Sequence, residues 1–298
     1  MNNFSNLKAK KSLGQNFLKS KNALSLMINA GEVGENDIIL EAGPGKGVLT
    51  EELLKKASKV IAVEKDDMLF EFLRDKFSSE IASGKLQLIH GDILNLNLPS
   101  YKLTANSYKL VANIPYYITG QFLRKFLSGP VQPSKMVILL QKEVVKRITA
   151  NDSKESILSI SVKAYGRPKN IGKVSKENFS PKPKVDSAIL FIDNISRDFF
   201  KDAGEEARFF EIVKSGFAHK RKLLAGNIKH LIKVGDQIEK ILENCGIPPK
   251  ARAEDIKIEQ WKCLCATLLM FTQLCGGQTS TELSELHSIK ANLFRFYS

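Results

Sequence analysis

From Asp37 to Asp193, short apolar runs alternate with segments whose apolar residues recur at helical spacing. Strands buried on both faces read as near-continuous apolar runs, so this alternation predicts a mostly parallel sheet covered by helices on both sides. Strands are expected at Ile38 to Ala42, Lys59 to Glu64, Lys85 to His90, Tyr108 to Asn113, Lys135 to Gln141, around Asn170 to Val174, and Ser187 to Asp193. Between them, Val48 to Ala57, Asp67 to Phe77, Thr119 to Leu127 and Ser153 to Ala164 read as helices. From Phe199 the pattern changes: Ala207 to Phe217, Lys220 to Ile232, Gln237 to Asn244 and Ile258 to Met270 are all helical in period. The expected fold class is α/β, a seven-stranded sheet followed by a small all-helical C-terminal domain. Domain limits are expected at 1–196 and 197–269, with an extra tail over 270–298 in which Leu283, Leu286 and Ile289 suggest a short amphipathic helix.

Length and composition are those of an ordinary globular chain of 298 residues, 43% hydrophobic and 26% charged, which removes disordered and collagen-like readings. The longest apolar run, near Cys263 to Phe271, is about half of the roughly 20 residues a bilayer needs, so no membrane association is expected. Charge is more informative. The net +13 is uneven: residues 31–80 carry −5, and residues 81–184 carry +12. Concentrated Lys and Arg mark a surface that binds a polyanion, and nucleic acid is the leading partner. The four cysteines lie in the last fifth of the chain without metal-ligand spacing, and the start lacks the apolar core of a signal peptide. A reduced cytoplasmic protein with buried thiols and no metal is expected.

Candidate chemistry sits at strand ends. Glu41-Ala42-Gly43-Pro44-Gly45-Lys46-Gly47 follows the first apolar strand and precedes a helix, where an open α/β sheet binds ligands and a helix offers free N–H groups. Its spacing departs from the G-x-G-x-x-G dinucleotide fingerprint, because Val48 stands three after Gly45. Glu64, ending the next strand, is placed to accept hydrogen bonds from ribose hydroxyls, and Asp92 adds a polar group after the third. Asn113-Ile114-Pro115-Tyr116-Tyr117 ends the fourth strand. An amine conjugated to an aromatic ring is a weak nucleophile, and acceptors for its N–H groups aim its lone pair. The Asn113 side-chain oxygen and the Ile114 carbonyl suit that task, with Pro115 stiffening the turn and Tyr116 able to stack on the base.

These motifs, with Gly14-Gln15-Asn16-Phe17-Leu18, Gly91-Asp92-Ile93-Leu94, Gln141-Lys142-Glu143-Val144, the run Phe179 to Ala188 and Arg252 to Ile256, resemble one family from about Lys10 to Leu268. It is the S-adenosylmethionine-dependent ribosomal RNA adenine N6,N6-dimethyltransferases, in particular the small-subunit (16S) group linked to kasugamycin sensitivity. The resemblance implies a Rossmann-like methyltransferase sheet, S-adenosyl-L-methionine as methyl donor, and small-subunit rRNA in a pre-ribosomal particle as partner of a monomeric enzyme. It implies that Asn16 and Leu18 enclose the cofactor, Gly43 and Gly45 line its methionine moiety, Glu64 binds the ribose and Asp92 contacts the adenine. Asn113 would border both cofactor and substrate, and Phe179 would stack on the target adenine opposite Tyr116, clamping a flipped base. The basic stretch Lys163 to Lys184 and the cluster His219-Lys220-Arg221-Lys222 are expected RNA contacts. Three alternatives stand beside this reading: the erythromycin-resistance type acting on large-subunit rRNA, DNA adenine methylation, and a non-catalytic assembly or transcription factor on the same fold. The helix after Lys154 lacks the family's usual wording, and residues 270–298 run past its usual end.

Overall fold

Each long apolar run between Ile38 and Asp193 is covered on both faces, which is why its side chains are apolar on both. In chain order the first unit comprises β1 (Phe17–Leu18), α1 (Lys21–Ala30), β2 (Ile38–Ala42), α2 (Val48–Lys56), β3 (Lys59–Glu64), α3 (Asp67–Lys76), α4 (Ser78–Ala82), β4 (Leu86–His90), β5 (Lys109–Asn113), α5 (Thr119–Ser128), β6 (Lys135–Gln141), α6 (Lys142–Thr149), α7 (Ile157–Lys163), β7 (Arg167–Val174), β8 (Phe179–Ser180) and β9 (Ser187–Asp193). The second comprises α8 (Ala203–Gly216), α9 (Leu224–Ile228), α10 (Ile238–Asn244) and α11 (Ile258–Leu274). The computed structural model describes residues 7–150, 153–231 and 237–274, so the helix expected around Leu283 to Ile289 lies outside the described residues.

Seven strands form one sheet in the order β4-β3-β2-β5-β6-β9-β7. Pairs from β4 through to β6 are parallel, and β9 runs antiparallel to both of its neighbours. Strand order reverses at β2, which lies between β3 and β5, and such a switch point leaves a crevice at the carboxyl ends of the strands. A two-residue antiparallel pair, β1 with β8, sets Phe17 opposite Ser180 and Leu18 opposite Phe179. The outer strand β7 carries Arg167, Pro168, Lys169 and Lys173 with a register shift at Gly172, features that discourage edge-to-edge pairing.

The chain divides into two units after Lys201. The segment before that point belongs to the sheet unit because Ser196 N–H donates to the Tyr165 carbonyl and Phe200 packs edge-on against Tyr165, ring centroids 5.6 Å apart. The helical unit builds its core around the fully buried Trp261. At Gly216 an added Cβ would lie 2.4 Å from the Trp261 ring, so only glycine admits this approach of α8. Cys245, at the end of α10, is joined to Cys263 of α11 as a disulfide, and Cys265 is a buried free thiol. This corrects the expectation of reduced thiols for that pair: residues 18 apart in sequence meet where the two helices pack, with Cα atoms 5.5 Å apart. Among the described residues no helix is long and apolar enough to cross a membrane.

Several elements differ from the sequence expectation. Helix α1 was not expected, although Ser20 caps it by accepting the Ala23 N–H and its buried positions 23, 24, 27 and 28 are helically spaced. Helix α6 was not expected either, although its buried Val145 and Ile148 stand three apart, on one helical face. The helix expected from Ser153 begins at Ile157, where Ser156 and Ser159 cap one another reciprocally. The helix expected over Lys220 to Ile232 is shorter, α9 followed by a 3-10 turn over Lys229–Leu231.

Candidate active site

Side by side along the crevice stand Asp92 just after β4, Glu64 ending β3, Glu41 near the end of β2, and Asn113 ending β5. A cavity of about 300 Å³ opens there, at the lower end of the roughly 300–1,000 Å³ typical of small-molecule sites. Every site residue expected from sequence borders it except Phe179. Phe179 is 2% exposed and belongs to the hydrophobic cluster beneath, because its backbone pairs with Leu18.

The glycine loop is shaped by close contacts. Gly45 and Gly47 have φ of +61° and +73°, and a Cβ at Gly45 would come within 3.0 Å of the Phe17 ring. The buried Glu64 ties this loop to β3, accepting the Gly45 N–H at 3.0 Å and the Lys65 and Asp66 N–H groups at 2.9 Å. Burial raises its carboxyl above the ordinary range, and these three bonds pull the other way. Asp92 differs. Burial opposes its charge, but Lys65 Nζ at 2.9 Å and the Leu94 N–H outweigh that and hold its carboxyl below the usual value.

The N-terminal segment is fastened across the cavity. Lys10 and Gln15 both reach the Asp66 carboxylate, at 3.0 and 3.1 Å, while Lys19 N–H donates to the Asn178 carbonyl at 2.8 Å. The Asn16 carbonyl accepts the Asn113 side-chain NH₂ at 3.2 Å. That bond fixes the amide, and because the residue borders the cavity its side-chain oxygen can serve there as an acceptor. Pro115, with φ −57° and ψ 135°, turns the chain into a short 3-10 helix. The Tyr116 hydroxyl is hydrogen-bonded to Ser187 Oγ at 2.7 Å, fixing the ring, whereas Tyr117 is 64% exposed at the cavity. A loop of acidic and amide groups followed by a neutral acceptor and an aromatic ring suits a polar cofactor beside a planar amine.

Residues 6–268 match the family model described as ribosomal RNA adenine dimethylase. The chain belongs to that family. It is 42% identical over 261 residues to a ribosomal RNA small subunit methyltransferase A of Dehalococcoides mccartyi, covering 87% of this chain and 88% of that one. A protein of the same name from Clostridium botulinum is 36% identical over 256 residues, 85% and 92% of the two chains. Among solved structures, the 23S rRNA methyltransferase ErmE superposes with a TM-score of 0.71 at 25% identity, over 85% of this chain and 99% of that one. A dimethyladenosine transferase from Plasmodium falciparum gives 0.71 and 25%, over 86% and 98%.

Membership in an adenine dimethylase family implies S-adenosylmethionine as methyl donor. The residues fit such a group: a cradle at Gly45 that a Cβ would crowd, a buried carboxylate at Glu64 with one lone-pair site left on Oε2 for a hydroxyl, and a second buried acid at Glu41. Glu41 is a site residue that sequence reading passed over. The signal was present, an acid inside an otherwise apolar strand, Ile38-Ile39-Leu40-Glu41-Ala42. Lys65 and Gln121 also border the cavity without having been singled out, and Tyr117 was named only as the end of its motif. In the basic stretch the structure pairs Lys163 with Glu155, Lys169 with Asp193, Lys173 with Asp186 and Lys182 with Glu177. All but the Lys163 pair are exposed on the lysine side, and such pairs are weak enough to be exchanged for phosphate. His219 to Lys222 form an exposed turn between α8 and α9.

Proposed function

We propose that this chain transfers two methyl groups in sequence to N6 of each of two adjacent adenines near the 3′ end of small-subunit rRNA, acting as a monomer on a pre-ribosomal particle in the cytoplasm. The observation that carries the reading is the anchored Asn113 side chain, its NH₂ bonded to the Asn16 carbonyl and the residue bordering the same cavity as the acidic rim. Relatives at 35–42% identity carrying the small-subunit name favour this over the large-subunit reaction for which ErmE is named.

Bound S-adenosylmethionine supplies a methyl group on a positively charged sulfur, an activated leaving group that calls for alignment more than for a strong base or a metal. Glu64 receives a ribose hydroxyl, Asp92 receives the adenine amine, and Gly43, Gly45, Asn16 and Leu18 enclose the rest. At the acceptor side Asn113 Oδ1 and the Ile114 carbonyl take the N–H hydrogens of the target amine and aim its lone pair, while Pro115 keeps the turn from relaxing. Tyr116 offers its ring face to the flipped base. Phe179, expected on the opposite face, is packed in the hydrophobic cluster and carries no part of this reading. The lysines of β7 and the turn His219 to Lys222 contact phosphates and set the position of the RNA without reading bases.

Primer extension across the 3′ helix of small-subunit rRNA, in cells with and without the protein, tests this reading. Two adjacent stops that vanish on deletion are expected. Stops that persist, or that change only in large-subunit rRNA, would contradict it.

A further inference from the structure

The loop after β4 carries Asp92 and borders the cavity from Gly91 to Leu94, yet it belongs to no strand or α-helix. Within it, the Leu94 N–H donates to Asp92 Oδ1 and the Asn95 N–H to the Asp92 carbonyl, both at 2.9 Å. A side chain from another element reaches this loop. Lys125 Nζ donates to the Leu94 carbonyl at 2.9 Å and to the Leu96 carbonyl at 2.7 Å. Lys125 stands on α5, a helix held in place by its buried Phe122, Leu123, Phe126 and Leu127. That helix continues from the turn of Pro115 and Tyr116, and its first residue, Thr119, donates through Oγ1 to the Tyr116 carbonyl at 2.8 Å. The loop holding Asp92 is thereby tied to the helix that follows the Asn113 motif.

Two lysines serve this loop in different ways. Lys65 pairs with the Asp92 carboxylate itself, whereas Lys125 takes backbone carbonyls and does not border the cavity. An ammonium withdrawn from water gives up hydration, and charge-assisted bonds to well-placed oxygens restore it. Burial lowers the Lys125 ammonium from the ordinary lysine range, and the charge of Asp92 opposes that shift. The bonds converge on Leu94: its N–H goes to Asp92 and its carbonyl accepts from Lys125, so a displacement of Leu94 displaces the carboxylate. We propose that Lys125 is a positioning residue for nucleoside recognition, clamping the Leu94 and Leu96 carbonyls so that Asp92 stands where it receives the adenine amine of the methyl donor; this rests on the methyltransferase reading above. Without the clamp the base is held less tightly and read less selectively, while Glu64 and Asn113 keep their own anchors.

Titration calorimetry on the full chain tests this with 5′-methylthioadenosine and 5′-methylthioinosine, in which a carbonyl oxygen replaces the adenine amine and would face Asp92 acceptor to acceptor. Wild type should prefer the adenosine compound by about tenfold or more. Lys125→Met, which keeps the stem and removes the donors, should bind 5′-methylthioadenosine and S-adenosylmethionine about five- to twentyfold more weakly. It should bind 5′-methylthioinosine within about twofold of wild type, which shows that the variant is folded, and transfer at saturating donor should stay near wild type. Lys125→Arg should restore most of the preference, and Lys125→Gln, with a shorter neutral donor, should fall between; either carries the test if the Met variant does not fold. Because the clamp acts through Asp92, Lys125→Met should add less than about twofold in an Asp92→Asn background. An unchanged preference, equal losses for both nucleosides, or losses that multiply in the double variant would overturn the proposal and leave the enzyme reading standing. Failure of wild type to bind S-adenosylmethionine at all would overturn both.

Discussion

The two halves of the cavity work by different physics. On the half proposed to hold the donor, Glu41, Glu64 and Asp92 are carboxylates whose protonation is displaced from the ordinary range, upward by burial for the first two and downward by Lys65 for the third. On the half proposed to face the acceptor, Asn113, Pro115 and Tyr116 are neutral groups fixed by hydrogen bonds and a stiff turn. Charge matters where a charged cofactor must be held, and alignment matters where a weak nucleophile must be aimed. Changes on one half should therefore move donor affinity, and changes on the other should move turnover.

The largest separation is expected at Asn113. Replacing it by Ala should lower single-turnover methyl transfer by about two orders of magnitude or more while donor affinity moves only a few fold, because the lost acceptor acts on the amine. Near-normal transfer would remove Asn113 from the chemistry. On the other half, Glu64→Gln is a sharper probe than Ala, which would strand three backbone N–H groups. A hydrogen bond to a charged acceptor is worth about 1.5–3 kcal/mol, so donor affinity by calorimetry should fall roughly ten- to hundredfold. Transfer at saturating donor should change much less, and the reverse pattern would merge the two halves.

The pH dependence of stability is the next test. Glu41 keeps its proton in the folded chain up to about 8, whereas the unfolded chain releases it near 4.5, so between these values the native state binds more protons and stability falls as pH rises. Chemical denaturation across pH 4.5–8 should show this decline in wild type and a flatter profile in Glu41→Gln; identical profiles would place the charge penalty elsewhere. Tyr116→Phe should have the smallest effect. It removes the bond to Ser187, about 0.5–1.5 kcal/mol, but keeps the ring face, so transfer should drop by about tenfold at most with donor affinity unchanged. A loss as deep as that of Asn113→Ala would give the hydroxyl a chemical role.

Sequence and structure agree most closely where the signal is local. The strands Ile38–Ala42, Lys59–Glu64, Lys135–Gln141 and Ser187–Asp193 have the bounds expected of them, since a doubly covered strand is written as an uninterrupted apolar run. The rim residues Glu64, Asp92 and Asn113 were readable because each directly ends or follows such a run. Phe179 was not: a two-residue strand has no period, and only its pairing with Leu18 shows that the ring is packed inward. The neutralisation of Lys163, Lys169, Lys173 and Lys182 was likewise invisible, because three of their partners, Glu155, Asp186 and Asp193, lie on other elements. Glu41 was visible as an acid in an apolar strand, but its lack of a well-formed hydrogen bond among the described residues is a property of the packed sheet.

The central claim is that this cavity dimethylates adenines of small-subunit rRNA. Its most direct test is transfer carried to completion, with labelled S-adenosylmethionine in excess over the four methyl groups required, to small-subunit particles isolated from cells lacking the protein, with the rRNA digested to nucleosides and separated by mass spectrometry. Labelled N6,N6-dimethyladenosine approaching two residues per particle, with none in naked large-subunit rRNA, is the expected result. Label confined to monomethyladenosine, to large-subunit rRNA, or absent from both would contradict the account.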